Sequence, residues 1–217
     1  MEKQRKIGLV VAAALCGGFL VGPVATEARA PDCGPRGART IKANSEGRVF
    51  SDAGALEVCR RRGREVFLAA GGEGVPWFPA VDLDGTTVGY ATDNIGVTEA
   101  RTALFAVSFA RDRLDDLTVV SREFLVKIGS LQVTRRGALA WIECDAAEDA
   151  TPGTPRPNCI RPGPGEKRVL MKFSTDEDTA APRVADLGGK IDPSSLRLDR
   201  SKLSWREGAK TRATILR

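Results

Sequence analysis

The stretch LQVTRRGALAW, Leu131 to Trp141, alternates apolar and polar residues on both sides of a basic turn, with Leu131 and Val133 before it and Leu139 and Trp141 after it. A period of two puts these four side chains on one face of two antiparallel strands. LRLDRSKLSW, Leu196 to Trp205, repeats the pattern with one residue fewer in the turn. VDLDGTTVGY, Val81 to Tyr90, repeats it around a four-residue turn containing Asp84-Gly85, and Val49, Leu56 and Val58 in VFSDAGALEV give a fainter fourth copy. An aromatic side chain buries roughly 150–250 Å², so the residues closing the second strand, Tyr90, Trp141 and Trp205, are expected in the core. Further strands are expected at Glu65 to Ala69, Leu104 to Ala110, Arg168 to Phe173 and Thr211 to Leu216. Helical periodicity is scarce: in VTEARTALFAV, from Val97, Thr98 caps a turn or two at most before the pattern becomes that of a strand.

Strands at this spacing without intervening helices predict an all-β domain of repeated antiparallel hairpins. The expected architecture is a small or incomplete β-propeller-like domain, with a β-sandwich as the alternative. The units DLDGTTVGYA, TRRGALAWIE and DRSKLSWREG resemble the inner hairpins of TolB-like or WD-type β-propeller blades. The succession VFSDAGALEVC, GTTVGYA, GALAWIE and IDPSSLRLDRSKLSWREG resembles a group of uncharacterised exported proteins of high-GC Gram-positive bacteria, over most of Cys33 to Leu216. The resemblance implies a fold and carries no activity. The copies begin about 32, 50 and 65 residues apart, whereas propeller blades recur at about 40–45, and the chain has room for about four.

The N-terminus places Lys3, Arg5 and Lys6 before an apolar run from Ile7 to Val21 and ends in Ala28-Arg29-Ala30, the plan of a secretory signal peptide over residues 1–30. The run is about 15 residues, short of the roughly 20 that span a bilayer, so no transmembrane segment is expected after cleavage. Cys16 lies inside the run behind Leu15 and makes a lipid anchor the lesser alternative. Removing 30 of 217 residues leaves 187, read as a single disulfide-stabilised domain over 31–217. The removed segment carries four of the 33 basic and two of the 28 acidic residues, so the balance falls from +5 to +3. Such weak basicity argues against a nucleic-acid partner, whose grip depends on many phosphate-neutralising side chains.

Cys33, Cys59, Cys144 and Cys159 remain, an even number that implies two disulfides in an exported chain and leaves three connectivities open. The local pairing Cys33–Cys59 and Cys144–Cys159 is expected, because Cys144 and Cys159 bracket the Pro- and Thr-containing loop DAAEDATPGTPRPN.

The chain contains no histidine. That removes the side chain most used for acid–base work near neutral pH and the serine, cysteine and metal sites that depend on it. No catalytic, cofactor or metal site is expected. Ser201-Lys202 sits in a hairpin turn, Asp82 with Asp84 and Asp115 with Asp116 read as solvated turn acids, Asp82 to Gly85 is too short of oxygen ligands for a calcium loop, and GGEG at Gly71 to Gly74 lacks a phosphate-binding lysine. What remains is positive charge at hairpin tips: Arg60, Arg61, Arg62 and Arg64, then Arg135 and Arg136, then Arg200 with Lys202. Stacked hairpins would align these tips as a rim for an anionic ligand, although exposed turns also use charge for solubility alone.

The leading expectation is a secreted, non-catalytic binding module of the cell envelope or medium, its partner an anionic envelope polymer or another extracellular protein. The alternatives are a carboxylate-dependent glycan hydrolase, which needs two acids converging in a cleft, and a self-associating β-repeat protein.

Overall fold

The computed structural model describes residues 33–61, 63, 65–70, 80–95, 100–111, 113–122, 126–144, 159, 168–175 and 181–217. Residues 1–30, Arg62, Arg64 and the GGEG segment lie outside the described residues, as does the start of VTEARTALFAV. The described chain is all-β and every strand pairing is antiparallel. A first sheet contains β1 (Arg39–Ala43), β2 (Gly47–Asp52), β3 (Ala55–Arg60) and β4 (Glu65–Ala70). A second contains β5 (Val81–Asp84), β6 (Thr87–Ile95), β7 (Ala100–Ser108) and β8 (Asp115–Ser121). A third contains β9 (Lys127–Val133), β10 (Leu139–Cys144), β11 (Arg168–Phe173) and β12 (Arg183–Leu187), and a fourth only β13 (Arg197–Asp199), β14 (Lys202–Glu207) and β15 (Lys210–Ile215). In each sheet the strands lie side by side in chain order, and none of the sheets closes into a barrel.

The hairpin of Leu131 to Trp141 forms as its alternation requires: Leu131 faces Trp141 and Val133 faces Leu139 across β9 and β10. Its turn is closed by Thr134, whose carbonyl accepts from Gly137 N at 2.9 Å and whose Oγ1 accepts from Ala138 N at 3.0 Å. The turn after β5 is tighter than the four residues expected, because the pairing runs on to Asp84–Thr87 and leaves only Gly85 and Thr86 between. The fainter copy is also a hairpin, with Val49 facing Val58, but it joins the second and third strands of its sheet, whereas the other three join the first and second. Asp115 and Asp116, expected in a turn, open β8.

Hydrophobic side chains pack in three layers between successive sheets. Val49, Leu56 and Val58 of the first sheet meet Val88, Tyr90 and Val107 of the second. Leu104 and Val120 of the second meet Leu131, Val133, Leu139 and Trp141 of the third. Ala140, Ile142 and Leu170 of the third meet Leu203, Trp205 and Leu216. Side chains alternate faces along a strand, so β10 sends Leu139 and Trp141 into one layer and Ala140 and Ile142 into the next, and all six of its residues are buried. Gly89 makes the second and third sheets approach closely: a Cβ there would stand 2.8 Å from that of Val133. Trp141, Trp205 and Tyr90 are core residues, as the repeat implied. Trp141 and Trp205 each spend the indole N–H on a carboxylate, Trp141 on Glu143 and Trp205 on Asp186, both at 2.8 Å.

Both expected disulfides are present. Cys33–Cys59, with Cα atoms 6.0 Å apart, ties residues 33–38 to the outer face of the first sheet, where Arg48 also donates to the Cys33 carbonyl. Cys144–Cys159, with Cα atoms 5.8 Å apart, closes the segment after β10, and both sulfurs belong to the third hydrophobic layer. Two disulfides fit an oxidising or extracellular environment.

Candidate functional site

The first strands of successive sheets meet one another: β1 touches β5, β5 touches β9, and β9 touches β13. Main-chain N–H groups on these strands are held by side chains of the preceding one. Val133 N on β9 donates to Asp82 Oδ2 on β5 at 3.0 Å, and Leu198 N on β13 donates to Gln132 Oε1 on β9 at 2.9 Å. Asp82 and Gln132 hold the same place in VDLD and LQVT, so one repeat position performs the same task at two successive junctions. At the β1–β5 junction Asn44 Nδ2 donates to the Gly85 carbonyl at 3.0 Å, and Lys42 lies 3.6 Å from Asp82.

Two cavities lie along these strands. One, of about 330 Å³, is bordered by all four: Ile41 and Lys42 of β1, Val81 of β5, Leu131 of β9 and Arg197 of β13. The other, of about 800 Å³, opens farther along β5, β9 and β13, beside the turns after β9 and β13 and the last two residues, Leu216 and Arg217. Its buried and half-buried lining, Asp82, Leu83, Gln132, Val133, Leu198 and Leu216, forms the floor, and the exposed Arg135, Arg136, Arg200, Ser201 and Arg217 form the mouth, with the half-buried Asp84 and Thr134 at its edge.

Asp82 and Asp84, two apart on β5, point to one side of that strand. Burial pushes the Asp82 carboxyl above the usual carboxylate range, against the hydrogen bond from Val133 N and the nearby Lys42 ammonium, which pull it down. Asp84 accepts from Arg135 twice, from N at 3.1 Å and from Nε at 3.2 Å, and Arg135 Nη2 reaches Glu46 Oε1 at 2.8 Å. The hydrogen bond to Asp84 and the charge of Glu46 raise the Arg135 guanidinium further above its ordinary value. This ladder, from the β1–β2 turn through β5 to the β9–β10 turn, ties the tips of three sheets together.

Of the arginines singled out by the sequence, Arg135 and Arg136 therefore stand in one cavity, together with Arg200 and with Arg217, which no sequence pattern marked. Arg60 and Arg61 stand outside it: Arg60 donates through Nη1 to the Ala110 carbonyl, and Arg61 N donates to the Glu46 carbonyl at 3.0 Å. The tip arginines Arg135, Arg136 and Arg200 and the acids Asp82 and Asp84 thus line one cavity. Among the described residues, no three Cys, Asp or Glu side chains gather as metal ligands.

No family model, curated protein or solved structure matches this chain.

Proposed function

We propose that this chain is an exported binding module built as an incomplete, four-bladed propeller-like domain, and that the larger of its two cavities takes an anionic ligand. The propeller-like reading draws on the four meander sheets and on the succession of their first strands around the smaller cavity. It is incomplete because the fourth sheet has three strands and, among the described residues, no hydrophobic layer joins it to the first. Export draws on the signal-peptide pattern and the two disulfides.

One observation carries the ligand class: four arginines and two aspartates line the cavity, and both carboxylates are engaged in the framework. Arg135 is engaged with them, whereas Arg136 and Arg200 have no ion-pair or hydrogen-bond partner for their side chains among the described residues. A concave site lined by one excess sign of charge concentrates ions of the other sign. Guanidinium groups match oxyanions in shape as well as charge. A volume near 800 Å³ is that of a small-molecule site, which typically runs from roughly 300 to 1,000 Å³. The hydrolase alternative needs one acid free to give a proton and a second free to attack or to activate water. Asp82 and Asp84 are instead committed to Val133 N and Arg135.

Titration calorimetry of residues 31–217, in oxidised form, with pyrophosphate tests the proposal. Saturable binding is expected, weakened at least tenfold in Arg136→Ala/Arg200→Ala and reduced by raised salt. Equal binding by the double variant would remove the cavity from the account.

A further inference from the structure

We infer that the anion taken by the larger cavity carries an aliphatic chain, which lies on the cavity floor while its oxyanion sits at the mouth. The inference rests on reading the cavity as an anion site and adds the chemistry of the rest of the ligand.

The floor contains polar side chains, but their hydrogen-bonding capacity is turned inward. Asp82 Oδ2 accepts from Val133 N at 3.0 Å, and the carboxylate faces Lys42 on its other side. Gln132 accepts from Leu198 N through Oε1 at 2.9 Å and donates through Nε2 to the Leu131 carbonyl at 2.8 Å, so both ends of the amide are used. At the edge of the mouth, Thr134 Oγ1 accepts from Ala138 N and Asp84 holds Arg135. Beside these engaged groups the floor carries four apolar side chains, the half-buried Leu83 and Leu198 and the buried Val133 and Leu216.

Two kinds of anion are thereby separated. A hydroxyl-rich anion, such as a phosphorylated polyol or an acidic sugar, would bring to this floor donors and acceptors that find few partners, and each group left unpaired there weakens binding. An aliphatic chain needs no partner there and gains from covering the exposed parts of Leu83 and Leu198. At the mouth, Arg136 and Arg200 have no side-chain partner among the described residues, and with Arg217 and Ser201 they suit a phosphate or carboxylate headgroup.

The test is calorimetry of the oxidised chain with inorganic phosphate, butyl phosphate and hexyl phosphate, in parallel with butanoate and hexanoate, all below micelle-forming concentrations. Affinity should rise with chain length, approaching fourfold for each fully buried methylene, and Arg136→Ala/Arg200→Ala should weaken the alkyl members of a series by a common factor. The stronger series identifies the headgroup as phosphate or carboxylate. If inorganic phosphate binds as well as hexyl phosphate and the arginine variant weakens both, the aliphatic chain is refuted and the anion site stands. Chain-length dependence that the arginine variant leaves untouched places the ligand elsewhere and overturns this inference. No binding by any member of either series overturns both readings.

Discussion

Arg200, in the turn between β13 and β14, occupies the place that Gly85 occupies between β5 and β6, and both backbones are left-handed, with φ of 57° and 61°. Gly85 reaches that conformation without strain, and a side chain there would also meet Arg135, whose Nε stands 2.8 Å from the added Cβ. Arg200 has a Cβ and bears a cost of roughly 1–2 kcal/mol for the same turn. Its guanidinium borders the larger cavity.

Arg200→Gly should therefore raise the unfolding free energy by about 1 kcal/mol while weakening anion binding. Chemical denaturation and calorimetry on the same variant separate the two effects. A variant that is less stable would show that the Arg200 side chain holds the turn, against this account.

Asp82 gives a pH signature. Its carboxyl titrates above the ordinary range in the folded chain, chiefly because it is buried. In the window just above that range the folded state retains a proton that the unfolded chain has lost, so the stability associated with Asp82 falls as pH rises through the folded pKa. Asp82→Asn keeps an acceptor for Val133 N and should flatten this step, with stability at pH 7 unchanged or slightly higher. Asp82→Ala leaves Val133 N unpaired and should cost about 1–3 kcal/mol. Thermal unfolding between pH 4 and pH 7 checks both, and an unaltered pH profile in Asp82→Asn would count against the assignment.

Tyr90 is the chain's only tyrosine, so its phenolate absorbance reports on one site. Burial, with a contribution from the Asp116 charge, pushes its hydroxyl up to about 12, and its ring stacks on Phe105 with centroids 5.0 Å apart. Spectrophotometric titration should show no phenolate near the ordinary value of about 10. Since the unfolded chain releases this proton first, stability should fall as pH climbs from about 10 towards the folded value. A midpoint near 10 in the folded protein would contradict the burial.

The two disulfides should act additively. The loops they close have sequence separations of 26 and 15. In the chain-entropy treatment their removal costs about 3.5 and about 3 kcal/mol respectively. Replacing either cysteine pair by alanine and measuring urea midpoints checks the ordering. Loss of Cys144–Cys159 should also disturb the third hydrophobic layer, to which both sulfurs belong.

The hairpins were legible because an apolar alternation survives wherever one strand face is buried. The edges were not. β1 and β12 present mostly exposed residues, and β8 turns Leu117 and Val119 outward, so the alternation that identifies a strand is missing or misleading there. The fourth copy was displaced for the same reason: Ile41 and Ala43 stand in the exposed β1, whereas Val49 and Val58 in the next hairpin are fully buried and dominate the pattern. Ile41, Ala43 and Val49 in fact repeat the spacing of Leu131, Val133 and Leu139, which places this copy 40 residues before Val81. Of the site, the tip arginines could be read directly. Their partners could not, because Arg135 pairs with Asp84 and Glu46 across 51 and 89 residues, and only the meeting of the first strands joins them.

The most direct measurement is a ¹⁵N-resolved NMR titration of the arginine Nε–Hε signals of the oxidised chain with hexyl phosphate. Saturable shifts are expected at Arg136 and Arg200, with Arg60 and Arg61 left in place. Shifts spread evenly over exposed arginines, or concentrated at Arg60 and Arg61, would show that the cavity is not where the anion binds.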